Sequence, residues 1–303
     1  THTEGIIESS GDIKDIEIRV GEKQKNLPIE IWVNKPNRVK LSIISPSGEM
    51  IDNLDSKNAN NERIKFLYEG TEMIVNFTSP ELSTGDSHIF IRAYNLKAGI
   101  WKFRLTGQYI VEGKYYAWIP QRELLDSETK FLNSVGYTTL TLSSTSNRAI
   151  SVAYYNQEDN SVVTESGRGY TRDKMIKPDI AAGGFNVIVT NPGGGTAVIS
   201  GASVAGAVVA GCCALILQWA VTDKNYPDIY AEQIKAYIIS GAKGRPGDVY
   251  PNKEWGYGMF DMKGIFDRIK DTYNPRKSED YEEYRVNNLF IRIPKSRYNR
   301  TIN

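Results

Sequence analysis

From Ile180 to Thr222 the chain runs for 43 residues without an Asp, Glu, Lys, Arg or His. Protein surfaces are where such side chains collect, so a stretch this long without them is largely withdrawn from water. A membrane is one place for it, since Ala202 to Ala220 gives 19 uncharged residues, enough for a spanning helix by length. Its composition argues otherwise. It is rich in Ala, Gly and Ser rather than Leu and Ile, and neither flank carries a polybasic anchor. The loop Pro192-Gly193-Gly194-Gly195 precedes it and the polar turn Asp223-Lys224-Asn225 follows. The expectation is a long buried helix over Val204–Val221, with Gly206, Ala210 and Gly211 letting a sheet approach closely, and no membrane span.

The remaining composition is ordinary. At 303 residues the chain can hold two domains. With 37 basic and 36 acidic residues its net charge is +1, which fits neither a disordered segment nor a nucleic-acid footprint. Cys212 and Cys213 are adjacent and cannot staple distant segments; with only two histidines no zinc cluster forms, and no cofactor or metal is expected. The chain opens Thr-His-Thr-Glu-Gly without initiator Met or apolar leader, which reads as a fragment or a processed chain.

Two textures divide the sequence. From Asp12 to about Trp118 apolar and polar residues alternate with period two: Ile16–Val20, Ile29–Val33, Val39–Ile43, Glu72–Phe77, His88–Tyr94 and Gly99–Leu105 each predict a strand with one buried face. Turn residues separate them, as in Ser45-Pro46-Ser47-Gly48. Many short strands without a helical period predict a β-sandwich or jelly roll over 12–119, with Trp32, Tyr94 and Trp101 in its core. A lectin-like use of this sandwich would need exposed aromatics or clustered carboxylates, and the sequence asks for neither.

Beyond a connector from Pro120 to Ser144 the pattern changes. Ala149–Tyr154 and Asn186–Thr190 are short, nearly continuous apolar runs of the kind buried in parallel sheets. With the long helix and an amphipathic one over Ile229–Ser240, they predict an α/β region over 120–271. Residues 272–303 form a polar tail with a strand-like run, Leu289–Pro294, and a basic end, Lys295, Arg297 and Arg300; residues 1–11 are a leading segment.

Ser203 stands where the glycine-bearing loop enters the long helix. A helix N-terminus presents open N–H groups and partial positive charge, so a hydroxyl there is either a cap or a nucleophile whose oxyanion those amides stabilise. A serine nucleophile needs a base. The chain offers only His2, near its start, and His88, in a sandwich strand; neither reads as a partner, and the residues alone leave cap and nucleophile both open.

The motifs around Ser203 resemble those of the subtilisin family of serine proteases. Gly201-Ala202-Ser203-Val204-Ala205-Gly206-Ala207-Val208-Val209-Ala210-Gly211 follows the family's Gly-Thr-Ser nucleophile motif; Ser166-Gly167-Arg168-Gly169, Lys177-Pro178-Asp179-Ile180-Ala181-Ala182-Gly183-Gly184 and Trp255-Gly256-Tyr257-Gly258 follow three others in order. The resemblance implies the C-terminal half of a subtilase α/β domain with Ser203 as catalytic nucleophile. The family's Asp, His and oxyanion Asn have no matching positions, so the chain alone is expected to be inactive. A jelly roll ahead of this half resembles the clostridial spore-germination subtilases, the Csp proteins. Their resemblance implies a spore coat or cortex setting, limited proteolysis of a cortex-lytic proenzyme as the reaction, and an N-terminal subtilase half and propeptide as partners. Some such proteins are inactive pseudoproteases that scaffold or transmit a germinant signal, and this is the alternative. Ala202 for Thr, and Ala207, Gly183 and Tyr170 for Pro, depart from the family pattern; loss of proline loosens turns and can spoil reaction geometry.

Overall fold

The computed structural model describes residues 1–54, 61–273, 281–286 and 289–294. It divides into two compact units: Thr1–Thr145 with Gly167–Met175, and Ser146–Ser166 with the chain from Ile176 onward.

The first unit is all antiparallel. Its strands are β1 (His2–Ile6), β2 (Ile13–Val20), β3 (Leu27–Val33), β4 (Arg38–Ile44), β5 (Met50–Leu54), β6 (Glu62–Lys65), β7 (Glu72–Thr78), β8 (Ser87–Tyr94), β9 (Gly99–Tyr109), β10 (Lys114–Trp118) and β11 (Lys130–Phe131). One sheet has the order β1-β10-β3-β8-β7-β6, the other β11-β2-β9-β4-β5. Alternation explains the layering. In β3, Leu27, Ile29, Ile31 and Val33 are buried while Pro28 and Glu30 are exposed, so a one-residue slip would turn four apolar side chains to water. At roughly 1.5–3 kcal/mol for each large apolar side chain buried, that fixes the register. The inward rows of both sheets share one core around Trp101, Phe103, Ile18, Leu41 and Ile91.

This unit takes in more chain than the alternating region. β1, within the segment expected to precede the sandwich, pairs along its length with β10, and β11, within the expected connector, pairs with β2 through Phe131, which is buried. Two of the three expected core aromatics also sit elsewhere. Trp101 is fully buried, but Trp32 alternates with Ile31 and Val33 and so faces outward, where it stacks on His88 at 4.2 Å, and Tyr94 at the end of β8 is exposed. A second stack joins His2, Tyr116 and Trp118, with His2 and Tyr116 both buried.

The second unit holds β12 (Val152–Asn156), β13 (Ser161–Val162), β14 (Ile180–Gly183), β15 (Val187–Thr190), β16 (Thr196–Ile199), α1 (Ala202–Leu217) with a π-turn over Gln218–Thr222, α2 (Ala231–Ser240), α3 (Met262–Tyr273), β17 (Tyr281–Val286) and β18 (Leu289–Pro294). β12 and β14 run parallel, with Val152 opposite Ile180. Asn186–Thr190 was expected in a parallel sheet as well. Instead β15 pairs antiparallel with β16, because Gly194 and Gly195, at φ +91° and +76°, close a tight turn that returns the chain at once. Its strands are half-exposed, Ile188 at 70%.

The long helix forms, but only one side of it is buried, and the sheet does not approach closely at Gly206 or Gly211 as expected, since a Cβ at either would meet nothing within 4 Å. Ala205, Val209, Cys212 and Ile216 recur at helical spacing and pack with Tyr154, Ile180 and Ala182 of the sheet and with Ile234, Ile238, Ile265 and Ile269 of α2 and α3. Val208, Leu215, Leu217 and Val221 on the other side are 42–47% exposed. Ala202–Thr222 is long and apolar enough to cross a membrane, and a third of it is buried in this core. The basic tail residues Lys295, Arg297 and Arg300 lie outside the described residues.

Candidate active site

Segments that stand apart in the sequence converge inside the second unit. Ser166 Oγ accepts the Tyr154 amide at 3.1 Å, which ties the first residue of the Ser-Gly-Arg-Gly motif to β12, the rest of that motif belonging to the first unit. Ahead of β14, Asp179 is buried with a ring of partners. Its carboxylate accepts from the Lys177 ammonium at 2.6 Å, the Lys235 ammonium at 2.9 Å and the Ser151 amide at 2.7 Å. Lys177 also donates to the Ala149 carbonyl at 2.9 Å, so its buried charge has two acceptors. Burial pushes the Lys177 pKa down, opposed by the attraction of Asp179.

The Trp-Gly-Tyr-Gly turn closes on the same place. The Tyr257 amide donates to the Asp179 carbonyl at 3.0 Å, and Ala181 and Phe260 exchange bonds with the turn, Ala181 N–H to Gly258 O at 2.9 Å and Phe260 N–H to Ala181 O at 2.7 Å. Gly256 has φ +58°, and a Cβ there would lie 2.2 Å from the Pro178 carbonyl oxygen. Glycine is therefore required by conformation and by space.

β14 so anchored ends at Gly183, and the following turn meets the mouth of α1. The Gly201 amide donates to the Gly184 carbonyl at 2.8 Å. Gly201 is the cap residue, with φ +149° and no side chain to satisfy the helix start. Its carbonyl takes the Val204 and Ala205 amides at 3.1 and 3.3 Å. The amides of Ala202 and Ser203 precede any intrahelical acceptor and stay open at the mouth. Ser203, the second helical residue, is exposed, and among the described residues no group bonds its Oγ. An exposed hydroxyl beside open amides on a positively polarised helix end is an arrangement that can attack a carbonyl and hold the resulting oxyanion, once a base is supplied.

The two histidines of this chain serve the other unit. His2 is fully buried, stacked at 4.7 Å on Trp118, with Nδ1 bonded to the Tyr137 carbonyl at 2.8 Å. Burial pushes its pKa down to about 4. His88 stacks on Trp32, 3.6 Å from the Glu30 carboxylate. Among the described residues no group of three or more His, Cys, Asp and Glu is placed to hold a metal ion. The sequence points to Ser203 and the motifs around it but not to Gln157, whose side chain brackets Phe185: Phe185 N–H donates to its Oε1 at 3.1 Å, and its Nε2 donates to the Phe185 carbonyl.

Comparison with known proteins agrees with the motifs. Residues 130–258 match the subtilase family. Among solved structures the Clostridium perfringens CspB protease is similar at 28% identity and a TM-score of 0.79, over 91% of this chain and 57% of that one. The prenylagaramide maturation protease PagA and the patellamide maturation protease PatA match at 22% and 24% identity. Each has a TM-score of 0.38, covering 44% and 45% of this chain and 47% and 48% of theirs, and adds no further weight. No curated protein matches. The chain spans 57%, under two thirds, of the CspB protease chain.

Proposed function

We propose, from the premise that this chain is subtilisin-like and similar to a Csp protease, that it is the nucleophile-bearing portion of a serine endopeptidase. The observation that carries the reading is the exposed Ser203 at the open mouth of α1, held there by the converging subtilase segments. Ser203 Oγ attacks the scissile carbonyl while an imidazole takes its proton; the tetrahedral oxyanion is met by amides at the helix start; the imidazole then protonates the leaving amine, and water completes hydrolysis by the reverse sequence.

That imidazole and its orienting carboxylate are to come from outside these residues, because both histidines are committed to the sandwich. The 303 residues alone are thus expected not to cleave peptides. Two features support a larger α/β domain: a short parallel pair, β12 and β14, and the apolar face of α1 left open by Val208, Leu215 and Val221. The first unit reads as a jelly roll, since β1-β10-β3-β8 facing β2-β9-β4-β5 is the strand order of two interlocked Greek keys. By resemblance to the spore-germination subtilases, the proposed substrate is a cortex-lytic proenzyme activated by limited proteolysis in the spore. Replacing Ser203 by Ala in the intact protein abolishes cleavage of its own propeptide and of that proenzyme. Undiminished cleavage by the variant would remove Ser203 as the nucleophile, and a wild-type protein that never cleaves would leave the scaffolding pseudoprotease.

A further inference from the structure

The nucleophile loop is not held by a cap. Gly201 has no side chain, so the angle at which α1 presents Ser203 must be set by what grips the chain just before it. The grip is a splice between two strands' ends. Three consecutive residues after β14 each make a fixed bond: Gly184 O accepts the Gly201 amide at 2.8 Å, Phe185 is held at both its N–H and its C=O by the Gln157 side chain, and the Asn186 amide donates to Ser200 Oγ at 2.8 Å. Gly184 is also gripped from behind, its amide donating to the Tyr155 carbonyl at 3.1 Å. No Cβ fits at Gly184: it would stand 2.8 Å from the Gly201 carbonyl oxygen and 2.9 Å from Tyr154 Cβ.

We propose that Gln157 and Ser200 are positioning residues that fix Ser203 for attack, acting through the Gly184–Asn186 turn. The proposal rests on the reading of Ser203 as nucleophile. Neither side chain touches the reacting atoms. Gln157 extends from the end of β12 and Ser200 from the end of β16, so the splice ties the sheet and the β15–β16 hairpin to the helix mouth from two sides. Both are exposed, so their removal leaves the core intact and the fold in place. A small displacement of the helix start is enough to matter, because near-attack geometry is lost over about 1 Å.

The test is the rate at which a fluorophosphonate labels Ser203 in the intact protein, measured against probe concentration. Ser200→Ala and Gln157→Ala are each expected to slow the limiting rate about threefold to tenfold, as loss of a single hydrogen bond would. The double variant is slowed more than either, and half-saturating probe concentration is unchanged throughout. Ser200→Thr keeps the hydroxyl and labels within about twofold of wild type. A double variant that labels at the wild-type rate, or a threonine variant as slow as the alanine one, overturns the proposal. Should the wild type itself resist labelling, the nucleophile reading fails separately. Hydrogen exchange then decides the splice: faster exchange at the Gly201, Val204 and Ala205 amides in the double variant supports it, and unchanged exchange overturns it.

Discussion

Lys235 lies 2.9 Å from Asp179, a buried carboxylate that Lys177 already holds at 2.6 Å. The three side chains fasten the entry to β14 before the chain reaches the loop that leads to Ser203. Removing one partner of a buried ion pair strands the other without compensation, at about 3–5 kcal/mol. Asp179→Ala should therefore lower the unfolding free energy of the second unit, measured by urea denaturation, by an amount in that range. Lys235→Ala should cost about 1 kcal/mol, since Lys235 is a fifth exposed and water replaces part of what it supplied. Equal losses for the two variants would contradict this reading.

His2 makes the first unit sensitive to acid. Its folded pKa, about 4, lies below the ordinary value of 6.5, so the unfolded chain binds the proton more tightly. The stability this neutral histidine contributes is complete above pH 6.5 and is lost as pH falls toward 4. The loss approaches roughly 3 kcal/mol. Denaturant midpoints of His2→Phe should fall less steeply over that window than those of wild type, the stacking on Trp118 being retained.

The adjacent cysteines should differ in reactivity. Burial raises both thiols, that of Cys212, buried in the α1 core, up to about 11, while Cys213 is part-exposed and so more accessible to reagent. Thiolate is the reactive form. Iodoacetamide at pH 8 should alkylate Cys213 first in the native protein and both at similar rates in urea, as read by peptide mass mapping.

Gly256→Ala places a Cβ against the Pro178 carbonyl in a backbone conformation that alanine resists. It should destabilise the second unit by more than 2 kcal/mol, measured by urea unfolding, because strain and clash add. Gly206→Ala, where a Cβ meets nothing within 4 Å, should stabilise α1 by up to about 1 kcal/mol.

Period-two alternation made the sandwich legible. Each of the six alternating runs forms a strand, and the face of every residue in β3 follows from Ile29 and Ile31. The same alternation, applied to Trp32, would have placed it outside; aromatic size argued for the core and lost to pleat geometry. β14 was hidden because Ile180-Ala181-Ala182-Gly183 has neither bulk nor alternation, and its strand character comes from pairing with β12. β15 departs from its pattern, because three apolar residues in a row suggest burial while its partner is fixed by the glycine turn beyond it. Ser203 stands out in the sequence through the motifs around it. Gln157 and Ser200 do not, because a side chain bonding a distant backbone leaves no periodic trace.

Everything proposed for the site requires Ser203 to be a nucleophile and not only a helix-start hydroxyl. The most direct measurement is mass mapping of the intact protein after reaction with a fluorophosphonate, with Ser203→Ala as control. One phosphonylated residue, Ser203, is expected, with no adduct in the variant. An intact protein that stays unlabelled, or an adduct that persists when Ser203 is alanine, would contradict it.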